Sequence, residues 1–205
     1  MQELGASAPE GATTFIEPLD PQQAPDEIRA VLEESPDLSL LGVLAQAQGT
    51  FTPWIGFATA LLSALELSPR LRELAILQVA LLDRGGDYEW SQHAPLALAA
   101  GASAAQLQAL QRGERSTSAF NDEEAMVLRF TREVVCDGCA SAEARARLLE
   151  LLGNRQVVEL LQVIGQYMMV ARIAATAGLR PEPPARLVAR QAGLAPVQDA
   201  DEETP

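Results

Sequence analysis

His93 is the only histidine in this 205-residue chain, and Glu89 stands four residues before it. On a helix that spacing brings both side chains to one face. A second carboxylate, Glu73, lies in the first turns of a run whose positions 74, 76, 77, 80 and 81 are all apolar. A carboxyl group held against such a surface loses solvation, which raises its pKa and suits it to proton transfer. An imidazole with carboxyl groups from its own and a neighbouring helix can work as a general acid and base. The same residues also have a purely structural reading. In it, Glu89 and His93 are a surface helix pair, and Glu73 pairs with Arg70, Arg72 or another arginine.

Cys136 and Cys139 are the chain's two cysteines, spaced C-x-x-C around Asp137-Gly138. A reactive first thiol usually sits at a helix N-terminus, where the dipole favours the thiolate. Cys136 is expected at a helix C-terminus, where the dipole opposes it. Metal binding needs further ligands, and the single histidine is remote in sequence, so no metal is implied. The plain alternative is a buried cysteine beside a turn. Arg155, Glu159, Gln162 and Gln166 recur at i, i+4, i+7 and i+11 as one polar stripe, expected to be exposed or to face another subunit. Tyr88, Trp90, Gln166 and Tyr167 are candidates to shape a pocket, although aromatics at helical spacing also fill cores.

The elements that must position these groups all read as helices. Asp26 and Glu27 favour a first turn after Pro25. Further runs are expected from Leu38 to about Gln48 and from about Pro53 to Leu65. Ser68 and Pro69 are a good N-cap and first helical residue for a helix from Arg70 to about Asp83, whose LAILQVALL core should be buried on nearly all sides. Asp87 is a candidate cap for the helix carrying Glu89 and His93, which should kink at Pro95 and stop at Gly101. Ser103, Asn121 and Ser141 cap three more, ending near Arg112, Cys136 and Leu152. A last long helix spans Asn154 to Ala177 and closes at Gly178. No segment alternates with period two between turns, so the fold class is all-α, a single-domain helical bundle.

Residues 1–24 read as an extended N-terminal arm, 25–180 as the helical domain, and 181–205 as a C-terminal tail with an acidic end. The formal charge is −13, from 28 acidic and 15 basic residues, with no basic cluster. That balance argues against nucleic acid and against anionic membrane surfaces. No continuous apolar stretch approaches the roughly 20 residues of a membrane span, and the N-terminus lacks the features of a signal peptide. A cytoplasmic location is the default expectation.

The string RELAILQVALL…YEWSQHAPLALAAG, within residues 68–101, resembles the core motif of the carboxymuconolactone decarboxylase / alkylhydroperoxidase D-like superfamily. That motif is an Arg-Glu-Leu helix, a short turn, then a second helix bearing a histidine. Val163–Met169 looks like a later family segment usually built around Gly-His-Tyr, with Gln166 where the histidine is expected. In the peroxidase branch a Cys-x-x-Cys pair stands seven and four residues before the motif histidine. Here those positions are Gly86 and Glu89, and the Tyr88-Glu89-Trp90 version looks like the decarboxylase branch.

The resemblance implies Glu73, Glu89 and His93 as acid–base residues, acting on a small carboxylated lactone or unsaturated acid without a cofactor. His93 would be the acid/base, Glu73 would tune or relay, and Glu89 would orient the imidazole. It also implies a homo-oligomer. Two other readings stay open. One is thiol-dependent peroxide reduction through Cys136 and Cys139, and the other is a non-catalytic helical oligomer that binds a small ligand.

Overall fold

Ser68 and Pro69 start the helix around which the rest of the chain is arranged. In the computed structural model, which describes residues 14–35, 38–83, 86–114 and 118–184, that helix runs Pro69–Leu82. The Ser68 hydroxyl accepts from the Leu71 amide at 3.3 Å, and Pro69 sits where a missing N–H costs nothing. In chain order the helices are α1 (Asp26–Glu34), α2 (Ser39–Ala45), α3 (Gln48–Ser63), α4 (Pro69–Leu82), α5 (Asp87–Ala99), α6 (Ala104–Gln111), α7 (Asp122–Asp137) and α8 (Ala142–Ala177). A 3-10 turn at Pro21–Gln23 precedes them, and the described residues contain no strand. The fold is an all-α bundle.

α4 is central because its sequence leaves it no polar face. Leu71, Leu74, Ala75, Ile76, Leu77, Val79 and Ala80 are all buried. One side joins Leu148, Leu160, Val163 and Ile164 of α8 and Val127 and Phe130 of α7. The other joins Ala97 of α5, Leu107 and Leu110 of α6, and Leu128 of α7. A helix apolar all round has to be covered on all sides, and α5, α7 and α8 pack against it.

Several boundaries differ from the sequence reading. α3 begins at Gln48 and runs through Pro53, whose missing N–H removes only one helical bond. α5 starts from Gly86 with no side-chain cap, so Asp87 is the first helical residue and not the cap. The two final helices are as expected from the sequence: α8 (Ala142–Ala177) is two helices that meet at a kink at Gly153 (φ 73°, ψ 171°). By length and composition alone α8 could cross a bilayer, but 56% of its apolar window is buried inside the bundle. The polar stripe on α8 is not uniformly exposed. Glu159 and Gln166 are buried, while Arg155 and Gln162 are exposed. Glu159 is drawn in because its Oε2 accepts from the Leu67 amide at 2.8 Å, just before α4 begins.

The described part of the N-terminal arm is tied to the bundle. The amides of Phe15 and Ile16 donate to Ala177 O, and that of Leu19 to Gly42 O. Residues 1–13 and 185–205, which include the acidic end of the tail, lie outside the described residues.

Candidate active site

The short connection between α4 and α5 makes a helical hairpin, and two ionisable groups meet across it. Glu73 is fully buried, and its Oε2 lies 2.8 Å from His93 Nδ1. A carboxylate only accepts, so Nδ1 carries the hydrogen of this bond. The other Glu73 oxygen accepts from Arg72 Nε at 3.0 Å and Nη2 at 2.8 Å. Arg72 Nη1 reaches back to Leu62 O at 2.7 Å, tying the pair to the end of α3.

Burial alone would raise the Glu73 pKa and is the largest single influence. The charges and hydrogen bonds of His93 and Arg72 together outweigh it and hold the carboxyl below its usual value. The sequence expectation of a raised Glu73 is therefore reversed. Tyr167 of α8 closes on the imidazole edge-to-face, with ring centroids 4.7 Å apart. Burial raises the Tyr167 hydroxyl well above its usual range, and the Glu73 carboxylate adds to that. His93 keeps 10% side-chain exposure, and with Nδ1 bonded to Glu73, Nε2 is the ring's other nitrogen.

Glu89 occupies the first turns of α5, one turn before His93, and is 2% exposed. Among the described residues, no side chain donates to either of its oxygens. Burial pushes its pKa up to about 7; its own amide offsets part of that rise, and Asp83 and Asp87 add to it by like charge. The imidazole is thus held by Glu73 and not by Glu89, the reverse of the expected pairing. Glu73, His93 and Tyr167 are brought together, with Glu89 on the same hairpin.

The other candidates lie elsewhere. Trp90 packs against the cluster of Leu74, Leu77 and Leu128 as a core residue. Gln166 is buried in α8. Tyr88 is 2% exposed, and its hydroxyl donates to Glu182, beyond the end of α8. Cys136 closes α7 and Cys139 follows the Gly138 turn, and both are free and exposed, not buried as the plain alternative had it. Sequence reasoning missed Gln92 and Glu182, which bond to each other across the α5 surface. Glu182 sits in a proline-rich stretch with no periodicity, so only tertiary closure reveals it.

Gly86 explains one departure from the peroxidase pattern. A Cβ placed there would lie 1.9 Å from Ala80 O, inside the backbone of α4. The turn has closed onto α4 where the peroxidase branch would need a cysteine side chain.

Residues 48–133, from the start of α3 through most of α7, match the model of the carboxymuconolactone decarboxylase family. No curated protein matches the chain. Glu73, Glu89 and His93 all lie inside the matched segment, which is similar to the carboxymuconolactone decarboxylase family and supports the superfamily resemblance read from the sequence.

Proposed function

We propose that this protein is an acid–base enzyme of the decarboxylase type, acting on a small carboxylated lactone or related unsaturated acid. The observation that carries the reading is the Glu89 carboxyl. It is buried, lacks a side-chain donor, and is poised near pH 7, one turn from an imidazole anchored by Glu73. A group with its pKa near the working pH is the most effective proton carrier. In such a reaction the C–C bond to the carboxylate breaks and CO2 leaves. The electron pair stays behind as a delocalised enolate, and one proton delivered to carbon completes the balance. The protonated Glu89 carboxyl can deliver it, as can His93 once Nε2 has taken a proton, and Glu73 is a positioning residue that fixes the ring.

A second reading has one observation in its favour: Cys136 and Cys139 are free and exposed, available to an alkyl hydroperoxide and a dithiol. The closed turn at Gly86 stands against that chemistry at the motif itself.

One assay panel separates the two. Carboxylated lactones, unsaturated acids and alkyl hydroperoxides with a dithiol are offered to wild type, His93→Ala, Glu89→Gln and the double Cys136→Ser/Cys139→Ser variant. CO2 release should fall about 10²- to 10⁴-fold in the first two variants, the usual scale for a lost general acid or base. Turnover within about threefold of wild type in His93→Ala would sink the acid–base reading. Genuine peroxide consumption that vanishes only in the cysteine variant would replace it.

A further inference from the structure

Tyr167 stands on the buried face of α8, where Val163, Ile164, Val170, Ala171 and Ala174 recur every three or four residues. None of these neighbours carries a polar side-chain atom. The ring joins the same cluster as Leu61 of α3 and Ile76 of α4, which accounts for an aromatic residue there but not for a phenol. A buried tyrosine usually places its hydroxyl on a partner. Tyr167 keeps 8% exposure, yet among the described residues no group hydrogen-bonds to its oxygen. An unpaired hydroxyl at such a depth lowers stability and calls for an explanation.

Its surroundings supply one. The ring meets the His93 imidazole edge-to-face, with centroids 4.7 Å apart. The charges of Glu73, Arg72 and Glu89 all act on the phenol, so its oxygen shares the neighbourhood of the acid–base groups. Other donors there are engaged: His93 Nδ1 with Glu73, and Arg72 with Glu73 and Leu62 O. Burial and then the Glu73 charge hold the phenol protonated, with Arg72 offsetting part of the effect and Glu89 adding to it. The group is therefore a neutral O–H donor and not a base. Loss of CO2 next to an unsaturated or carbonyl group leaves negative charge on a substrate oxygen. Near the Glu73 carboxylate that charge is repelled, and a donor fixed in place by packing counters the repulsion without reorganising.

We propose that Tyr167 is a further catalytic residue, whose hydroxyl donates a hydrogen bond to the substrate oxygen on which negative charge develops. The role rests on the acid–base reading above. The ligand class that fits it is a planar enolate or another delocalised oxyanion. The hydrogen stays on the phenol oxygen throughout, and the proton that completes the reaction comes from Glu89 or His93.

Tyr167→Phe keeps the ring against His93 and deletes one hydroxyl. In denaturant the full-length variant should unfold at or above the wild-type midpoint, because no protein bond is lost. The enolate mimic para-nitrophenolate, titrated above its own pKa and followed by absorbance, should bind the variant at least about tenfold more weakly, the scale of a hydrogen bond to a charged oxygen. On any carboxylated lactone or unsaturated acid that wild type turns over, kcat should fall about 10²- to 10³-fold, with KM within about threefold. Equal affinity of the two proteins for para-nitrophenolate, or no saturable binding by either, would overturn the donor role. So would a marked loss of stability in Tyr167→Phe, because the hydroxyl would then have a structural partner. If no lactone or acid is turned over but phenolate binding depends on Tyr167, the acid–base reading falls and the donor stands. Turnover that is lost in His93→Ala and untouched in Tyr167→Phe gives the opposite result.

Discussion

Glu73 and Glu89 face the same hairpin and are driven in opposite directions by one difference, the presence of cationic and hydrogen-bonding partners. Glu89 has burial and neighbouring acids with only its own amide to offset them, so its carboxyl is raised from its ordinary 4.5 to about 7. The folded protein then binds more protons than the unfolded chain between those two values, and stability must fall as pH rises through that window. Replacing Glu89 by Gln removes the penalty. Glu89→Gln should be more stable than wild type at pH 8, by up to about 3 kcal/mol at about 1.4 kcal/mol per unit, and the gap should close toward pH 4.5. Chemical denaturation of both proteins across pH 4.5–8 measures it, and parallel curves would mean that Glu89 is not desolvated. Glu73 has the opposite sign: its lowered pKa contributes stability above the unfolded value that is lost on acidification. The identities of these residues were legible from spacing and the apolar run. Their pairing was legible only in part. Arg72 was among the arginines open to Glu73 in the structural reading, and the structure selects it, although residues at i, i+1 do not normally face each other on a helix. Nor does a helix spacing of four decide whether His93 turns toward Glu89 or across the hairpin to Glu73.

At the scale of elements, two glycines separate two kinds of constraint. Gly153 joins the halves of α8 at φ 73°, yet a Cβ there would meet nothing within 4 Å. Its substitution has a conformational cost alone, so Gly153→Ala should destabilise by about 2 kcal/mol. Gly86 has an ordinary φ of −70°, but a Cβ would collide with the α4 backbone at Ala80. Gly86→Ala must separate α4 from α5, the two helices that hold the site, and should cost more, about 3 kcal/mol, together with a change in the His93 environment. Thermal or denaturant unfolding ranks the two, and the reverse order would show that the hairpin yields easily. Helix ends with side-chain caps were readable in advance. Ser68, Ser103, Asn121 and Ser141 each accept from a backbone amide of the first turn. Ends set by packing were not. α3 starts before its proline and α5 starts without a cap, because the neighbours fix where those helices begin.

At the scale of the whole molecule, the distribution of apolar surface is the remaining question. α3 has no charged residue along its sixteen positions, yet only Phe51 and Leu61 are buried, and Phe57 and Leu62 are 41% and 39% exposed. Along α8, Val158, Leu161 and Met169 are 54%, 41% and 38% exposed. Gly165 lies between the last two, and Met169 borders a groove of about 460 Å³ lined by Ile16, Arg172, Ile173 and Thr176. A net charge of −13 keeps chains apart at long range, so burying these faces requires specific contacts and not mere stickiness. We propose that copies of the chain pack through them, each such side chain contributing about 1.5–3 kcal/mol when moved from water to a packed interface. Light scattering should give a mass above that of one chain. Salt should strengthen the assembly by screening the repulsion between acidic surfaces. Val158→Glu with Leu161→Glu should weaken association by on the order of 10²-fold, since each introduces a charge that cannot be buried unpaired, while helix content stays as in wild type. A monodisperse monomer at high protein concentration would instead mean that these faces are left to water.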